Sequence, residues 1–148
     1  MGRTLARSQA LQILFQAEAT ERSVADVLNG PFALSEGPLD DYARQLALGT
    51  DEQRHDLDAV IGWASTNWSV SRMPSVDRNL LRLALFEMLD VEEVAIAVTI
   101  DETVELAKAY GTDESPRFVN GLLGRVASSL EEEEDVVQIA RKAHVEEE

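Results

Sequence analysis

Ser115-Pro116-Arg117-Phe118-Val119-Asn120-Gly121-Leu122-Leu123-Gly124-Arg125-Val126 opens as a helix and then departs from what a solvated helix needs. Ser115 has the side chain of an N-cap, and Pro116 falls at the first helical position, where a missing N–H costs nothing. Gly121 and Gly124 lie inside the apolar run, where each costs about 1 kcal/mol relative to alanine. That cost predicts a neighbouring helix packed closely against the bare backbone. Gly121-Leu122-Leu123-Gly124 matches in letters the G-x-x-G clamp of KH nucleic-acid domains, but such a clamp needs an exposed polar loop. Close packing is therefore the expectation, and a leucine at 121 is expected to destabilise the fold by about 1–3 kcal/mol through overpacking.

Outward from this block the pattern stays helical. Thr99 and Glu102 are spaced as a capping box, with Asp101 and Glu102 at the positive end of a helix dipole and Gly111 placed to end that helix. Ser75 reads as the cap of a strongly apolar helix from Val76 to about Leu89, the most buried one expected. Leu39, Tyr42, Ala43, Leu46, Leu57, Val60, Ile61 and Ala64 share one phase, which predicts a long helix running through Gly49, although Thr50-x-x-Gln53 imitates a capping box. Ser23 caps a short helix ended by Asn29-Gly30-Pro31. The first helix spans about Thr4 to Ala19, with Ala6, Ala10, Ile13, Leu14 and Ala17 inward and Arg3 and Arg7 on the flank, so Arg7 is expected to point to solvent.

At 148 residues with 45% hydrophobic content the chain can bury one core, and with 5% aromatics and no strand signals it must do so with helices. There is no cysteine, which removes disulfides and thiolate metal sites and accords with a cytoplasmic protein. No stretch approaches the roughly 18 apolar residues of a membrane span, and the N-terminus leads into an amphipathic pattern, so the chain reads as soluble and unprocessed. Thirteen Lys and Arg against 28 Asp and Glu give a net charge of −15, the opposite sign from a domain that grips phosphates unaided. Residues 131–148 carry −6 of it, most simply as a solubilising segment; the alternative is a mobile anionic tail that competes with an anionic ligand for the chain's arginines, in which case its removal raises that ligand's affinity at low salt.

No catalytic set is suggested. His55 shares a helix face with Asp51 and Asp58, but without a second histidine nearby a solvated charged face explains it better than a metal site. His144 lies in the charged tail. Neither histidine has the apolar or glycine-framed context that would orient a general base.

The block Thr99–Gly111 and the block Ser115–Val126 resemble the C-terminal half of NusB, a bacterial transcription antitermination factor family. Val76–Glu87 and, more weakly, Arg7–Phe15 carry the resemblance to roughly residues 3–128. It implies an all-α fold of two small helical subdomains, about 1–68 and 69–130, sharing one core, with an acidic C-terminal extension over 131–148 that is disordered or helical. It implies a non-enzymatic adaptor, without cofactor or metal, that binds single-stranded boxA RNA and pairs with the ribosomal protein NusE. In that setting RNA polymerase resists termination, chiefly during ribosomal RNA synthesis. By position the resemblance places Arg3, Arg7, Phe15, Arg117 and Phe118 at the RNA, and Asp77 at NusE. Asn120 either meets a base edge or holds the turn. Thr4 and Leu5 stand where many family members have further basic residues. The alternatives are a protein-interaction adaptor or self-associating homodimer with weak RNA affinity, and the helical domain that precedes certain ribosomal RNA cytosine methyltransferases, whose cofactor-binding βαβ unit this chain has no room for.

Overall fold

The computed structural model describes residues 2–66 and 68–147, the side chains of 144–147 excepted, so the readings of His144 and of Glu146 to Glu148 lie outside the described residues. Among those described there is no strand. The elements are α1 (Gly2–Thr20), α2 (Val24–Leu28), α3 (Asp41–Glu52), α4 (Arg54–Ala64), a single 3-10 turn (Val70–Arg72), α5 (Ser75–Asp90), α6 (Ile96–Tyr110), α7 (Ser115–Glu131) and α8 (Val136–Glu147). α5 is apolar nearly all round: Leu80, Leu81, Leu83, Ala84, Leu85, Phe86 and Met88 are all buried. A helix of that kind must be covered on every side, and α1, α3, α4, α6 and α7 all pack against it.

Several boundaries differ from the sequence reading for identifiable reasons. The helix does run on through Gly49, as its phase requires, but ends at Glu52, and Gln53 separates α3 from α4. Gly49 is needed because a Cβ there would collide with the ring of Phe86. Thr50 caps nothing; it is buried inside α3. Ser75 and Ser115 are first residues of their helices and not caps. The expected capping box at Thr99 is also wrong. α6 begins a turn earlier, at Ile96, and the Thr99 hydroxyl goes instead to a buried carboxylate.

The C-terminal segment is not a free anionic tail. Residues 131–135 are exposed, but α8 then docks on α4, burying Val136 and Ala140 and setting Arg141 in a two-toothed ion pair with Asp56 (2.9 and 2.6 Å). Those hydrogen bonds hold the Asp56 carboxyl below the usual carboxylate range.

Arg7 shows the largest departure. It points inward, 4% exposed, because α5 presents a buried carboxylate, Glu87 (1% exposed), that needs donors. Arg7 Nε donates to both Glu87 oxygens (3.0 and 3.1 Å), and its Nη1 donates to Glu102 Oε1 (3.1 Å). Tyr42 OH (2.5 Å) and Thr99 Oγ1 (2.6 Å) donate to the same Glu87 carboxylate. One carboxylate thereby ties α1, α3, α5 and α6. Buried charge is tolerated only when paired and hydrogen-bonded in this way.

Burial and the bond to Glu87 push the Tyr42 hydroxyl well above the ordinary phenol range. A raised pKa makes the neutral form the one that folding favours, so this contribution to stability is complete below the unfolded value of about 10 and fades as pH rises through the folded value. In a Tyr110→Phe variant, which leaves Tyr42 as the sole tyrosine of the two, the phenolate absorbance band is expected well above pH 10, together with loss of helical signal. Ionisation near the ordinary value with the fold intact would contradict the buried hydrogen bond.

Candidate nucleic-acid interface

The connection between α6 and α7, residues 111–114, is set by two small side chains. A Cβ on Gly111 would strike the Ser115 hydroxyl, so only glycine allows the two helices to meet here. Ser115 Oγ accepts from Thr112 N (3.0 Å) and donates to Asp77 Oδ1 at the start of α5 (2.6 Å). Asp77 is consequently 5% exposed. It was expected as a partner-facing acid, and the structure turns it inward, where its carboxylate orders the head of α7.

What that order presents is Arg117, exposed, and Phe118, half-buried. They form a ridge between two depressions. On one side a cavity of about 460 Å³ is lined by Trp68, Met73, Pro74 and Thr112, with Asp77 and Glu114 beside them. On the other, a groove of about 270 Å³ runs past Ser65, Thr66, Gly121 and Leu122 to Arg125. Arg125 lies over the ring of Trp63 at 5.4 Å and donates to the Ala64 carbonyl (3.2 Å), at the end of α4. Asn120 is exposed on the same helix.

A second group of side chains lies at the other end of the connection. Phe15 of α1 is half-buried and meets Tyr110 edge to face, with ring centroids 6.4 Å apart. The Tyr110 hydroxyl contacts Ser8 Oγ (2.8 Å) and Gln12 Nε2 (3.3 Å). Arg3 remains at the surface, over the Tyr42 ring at 4.2 Å and 3.4 Å from Glu93. Of the sequence-derived candidates, Arg117, Phe118 and Asn120 share one helix and Phe15 reaches the aromatic that precedes it. Arg3 is held apart by Glu93, and Arg7 is committed to the core. Tyr110, Trp63 and Arg125 were not singled out, although Arg117, Gly121 and Arg125 recur four apart, the spacing that stacks side chains on one helix face.

The glycines overturn the close-packing expectation. Among the described residues a Cβ on Gly121 or Gly124 would meet nothing within 4 Å, so no described helix packs against either one on that side. The groove is open where overpacking was anticipated, and a larger side chain at 121 has room.

The described residues form an all-helical fold in which exposed Arg117, half-buried Phe118 and exposed Tyr110 flank the α6–α7 connection. The chain belongs to the NusB family, whose model matches residues 4–128. It is 41% identical over 140 residues to transcription antitermination protein NusB of Desulforamulus reducens, covering 93% of this chain and 97% of that one. Its fold is that of T. maritima NusB, with a TM-score of 0.75, 36% identity, and coverage of 85% of this chain and 90% of that one. The fold is also shared, at a TM-score of 0.69 and 22% identity over 86% and 96% of the two chains, with a complex of antitermination factors NusB and NusE with double-stranded RNA.

Because Gly121 pays the helix-propensity cost without any packing return, Gly121→Ala is expected to raise the unfolding free energy by about 0.5–1 kcal/mol. Urea unfolding followed by circular dichroism measures this, and a destabilised variant would restore the close-packing account.

Proposed function

We propose that this chain is an RNA-binding adaptor of transcription antitermination, pairing with NusE on boxA-containing nascent ribosomal RNA within the RNA polymerase complex. The observation that carries the reading is the Arg117–Phe118 ridge: a free guanidinium next to a partly exposed aromatic, held in place by the buried Asp77–Ser115 bond. Such pairs fit single-stranded RNA, the arginine meeting phosphate and the ring a base face, at about 1–3 kcal/mol per stacked base. The relative at 41% identity and the NusB–NusE–RNA neighbour support the same role. Phe15 and Tyr110 extend the aromatic surface, Asn120 supplies an amide for a base edge, and Arg3 adds a cation once Glu93 yields it. Arg7 acts from the core, positioning α1, and touches no phosphate.

The role is binding, without catalysis or cofactor, and its setting is the cytoplasm, where nascent RNA is made. No helix among the described residues is long and apolar enough to cross a membrane. NusE, a basic partner, is drawn to an acidic chain of −15, and the cavity beside Trp68, Met73 and Pro74 at the head of α5 offers it an apolar seat. The burial of Arg7 and the Glu93 contact of Arg3 favour an adaptor whose own RNA affinity is weak until the partner binds.

Titration of boxA RNA into the chain alone and into its mixture with NusE, each at low and physiological salt, tests this. Tight binding is expected with NusE, and weaker, steeply salt-dependent binding without it. No binding in either case would refute the role.

A further inference from the structure

We propose that the outer face of α7 from Arg117 to Arg125 is a second RNA-binding segment, a track along which single-stranded RNA continues beyond the Arg117–Phe118 ridge. The inference rests on the RNA-adaptor reading and adds three residues to it: Gly121, Arg125 and Trp63.

Charge singles this face out. From Ser115 to Leu130 the sequence holds two arginines and no carboxylate, in a chain with 28 acidic residues. Arg117, Gly121 and Arg125 stand at i, i+4 and i+8, so the two guanidiniums lie one helical turn on either side of the glycine, about 12 Å apart along the axis. All three are exposed and all three line the same groove. Each arginine has an aromatic beside it: Phe118 follows Arg117, and Trp63 lies under Arg125 at 5.4 Å. Neither arginine has a carboxylate within ion-pair distance among the described residues, a property they share with Arg22, Arg44, Arg54 and Arg72 but not with Arg3, Arg7, Arg78, Arg82 or Arg141; what sets them apart is that they share one carboxylate-free helix face.

Gly121 completes the argument. It is helical, exposed and, among the described residues, unopposed by any atom within 4 Å of a would-be Cβ, so neither backbone conformation nor the described packing calls for glycine. An external partner that comes close to the helix backbone between the two arginines does. Cations at both ends, bare backbone between them and an aromatic at each cation are what a sugar-phosphate chain with unpaired bases requires. A basic protein such as NusE is disfavoured on this face by the same arginines.

The test uses the full chain with NusE, and boxA RNA with and without single-stranded extensions at either end. Gly121→Leu, which has room to fold, and Arg125→Ala are compared with the parent. Gly121→Leu is expected to keep the parent's melting temperature and Arg125→Ala to lower it slightly, through loss of the bond to the Ala64 carbonyl, while remaining folded, and both should bind the unextended RNA nearly as the parent does. For one of the two extended RNAs both should lose about tenfold in affinity, the scale of one charge-assisted hydrogen bond. For Arg125→Ala the salt slope should fall by about one unit. Parent-like binding of both extended RNAs by both variants overturns the track while leaving the adaptor reading intact. Unaltered RNA binding with weakened NusE binding overturns it in favour of a protein-facing surface. Failure of the parent itself to bind any of the RNAs sinks both.

Discussion

The Glu87 carboxylate is the constraint on which the rest of the molecule depends. It is ionisable, buried on the helix that packs against five others, and would be prohibitively costly alone. Arg7, Tyr42 and Thr99 complete its hydrogen bonding from α1, α3 and α6, each within 3.1 Å. Apolar contacts are non-directional and would tolerate a helix sliding by a fraction of a turn. The three donors to one carboxylate do not, so the positions of these helices about α5 become specific as well as favourable. The net stability gained is small by comparison with the cost of removing any one donor.

Two further pins on α5 repeat the device, one part-buried at Glu18 and one buried at Asp77. Glu18 of α1 accepts from Asn79 Nδ2 (2.5 Å), from Arg78 and from Ser75. Burial works against its charge, yet these donors hold its carboxyl below the ordinary range. Asp77, in the first turn of α5, fixes Ser115 and hence the direction in which α7 leaves the connection. The side chains of the proposed RNA surface are therefore placed by buried ones: Arg117 and Phe118 by Asp77, Phe15 by the seating of α1 on Glu87. On α1 itself Gln9, Gln12 and Gln16 bond to the backbone at residues 33, 35, 36, 38 and 40, holding the long α2–α3 loop against the helix without any strand.

The all-helical class, the burial of α5 and the stop at Gly111 were legible because they follow from periodicity and glycine placement. The polar interior was not. In sequence Arg7 and Glu87 are 80 residues apart, and an arginine on the flank of an alanine-rich helix reads as solvated unless its buried partner is known. Asp77 and Thr99 misled in the same way, one taken for a surface acid and the other for a cap, because both are recruited by long-range hydrogen bonds. Gly121 misled for the opposite reason: a glycine in an apolar run suggests internal close packing, and only the empty space around it among the described residues shows that no neighbouring helix supplies that contact. The C-terminal extension reads in sequence as either disordered or helical because acids precede Val136 and Ala140; it is the mobile alternative that fails, since those two side chains seat α8 on α4.

The central claim, that Arg7 is a structural counter-charge and not an RNA ligand, is tested most directly by one variant read in two ways. Arg7→Ala leaves Glu87 buried without its counter-ion, so urea unfolding of the full chain should show a loss of about 3–5 kcal/mol. At a temperature where the variant is still folded, the salt slope of boxA RNA binding with NusE should match the parent's. A variant that unfolds at the parent's midpoint but loses about one unit of salt slope would place Arg7 on the phosphate and contradict the account.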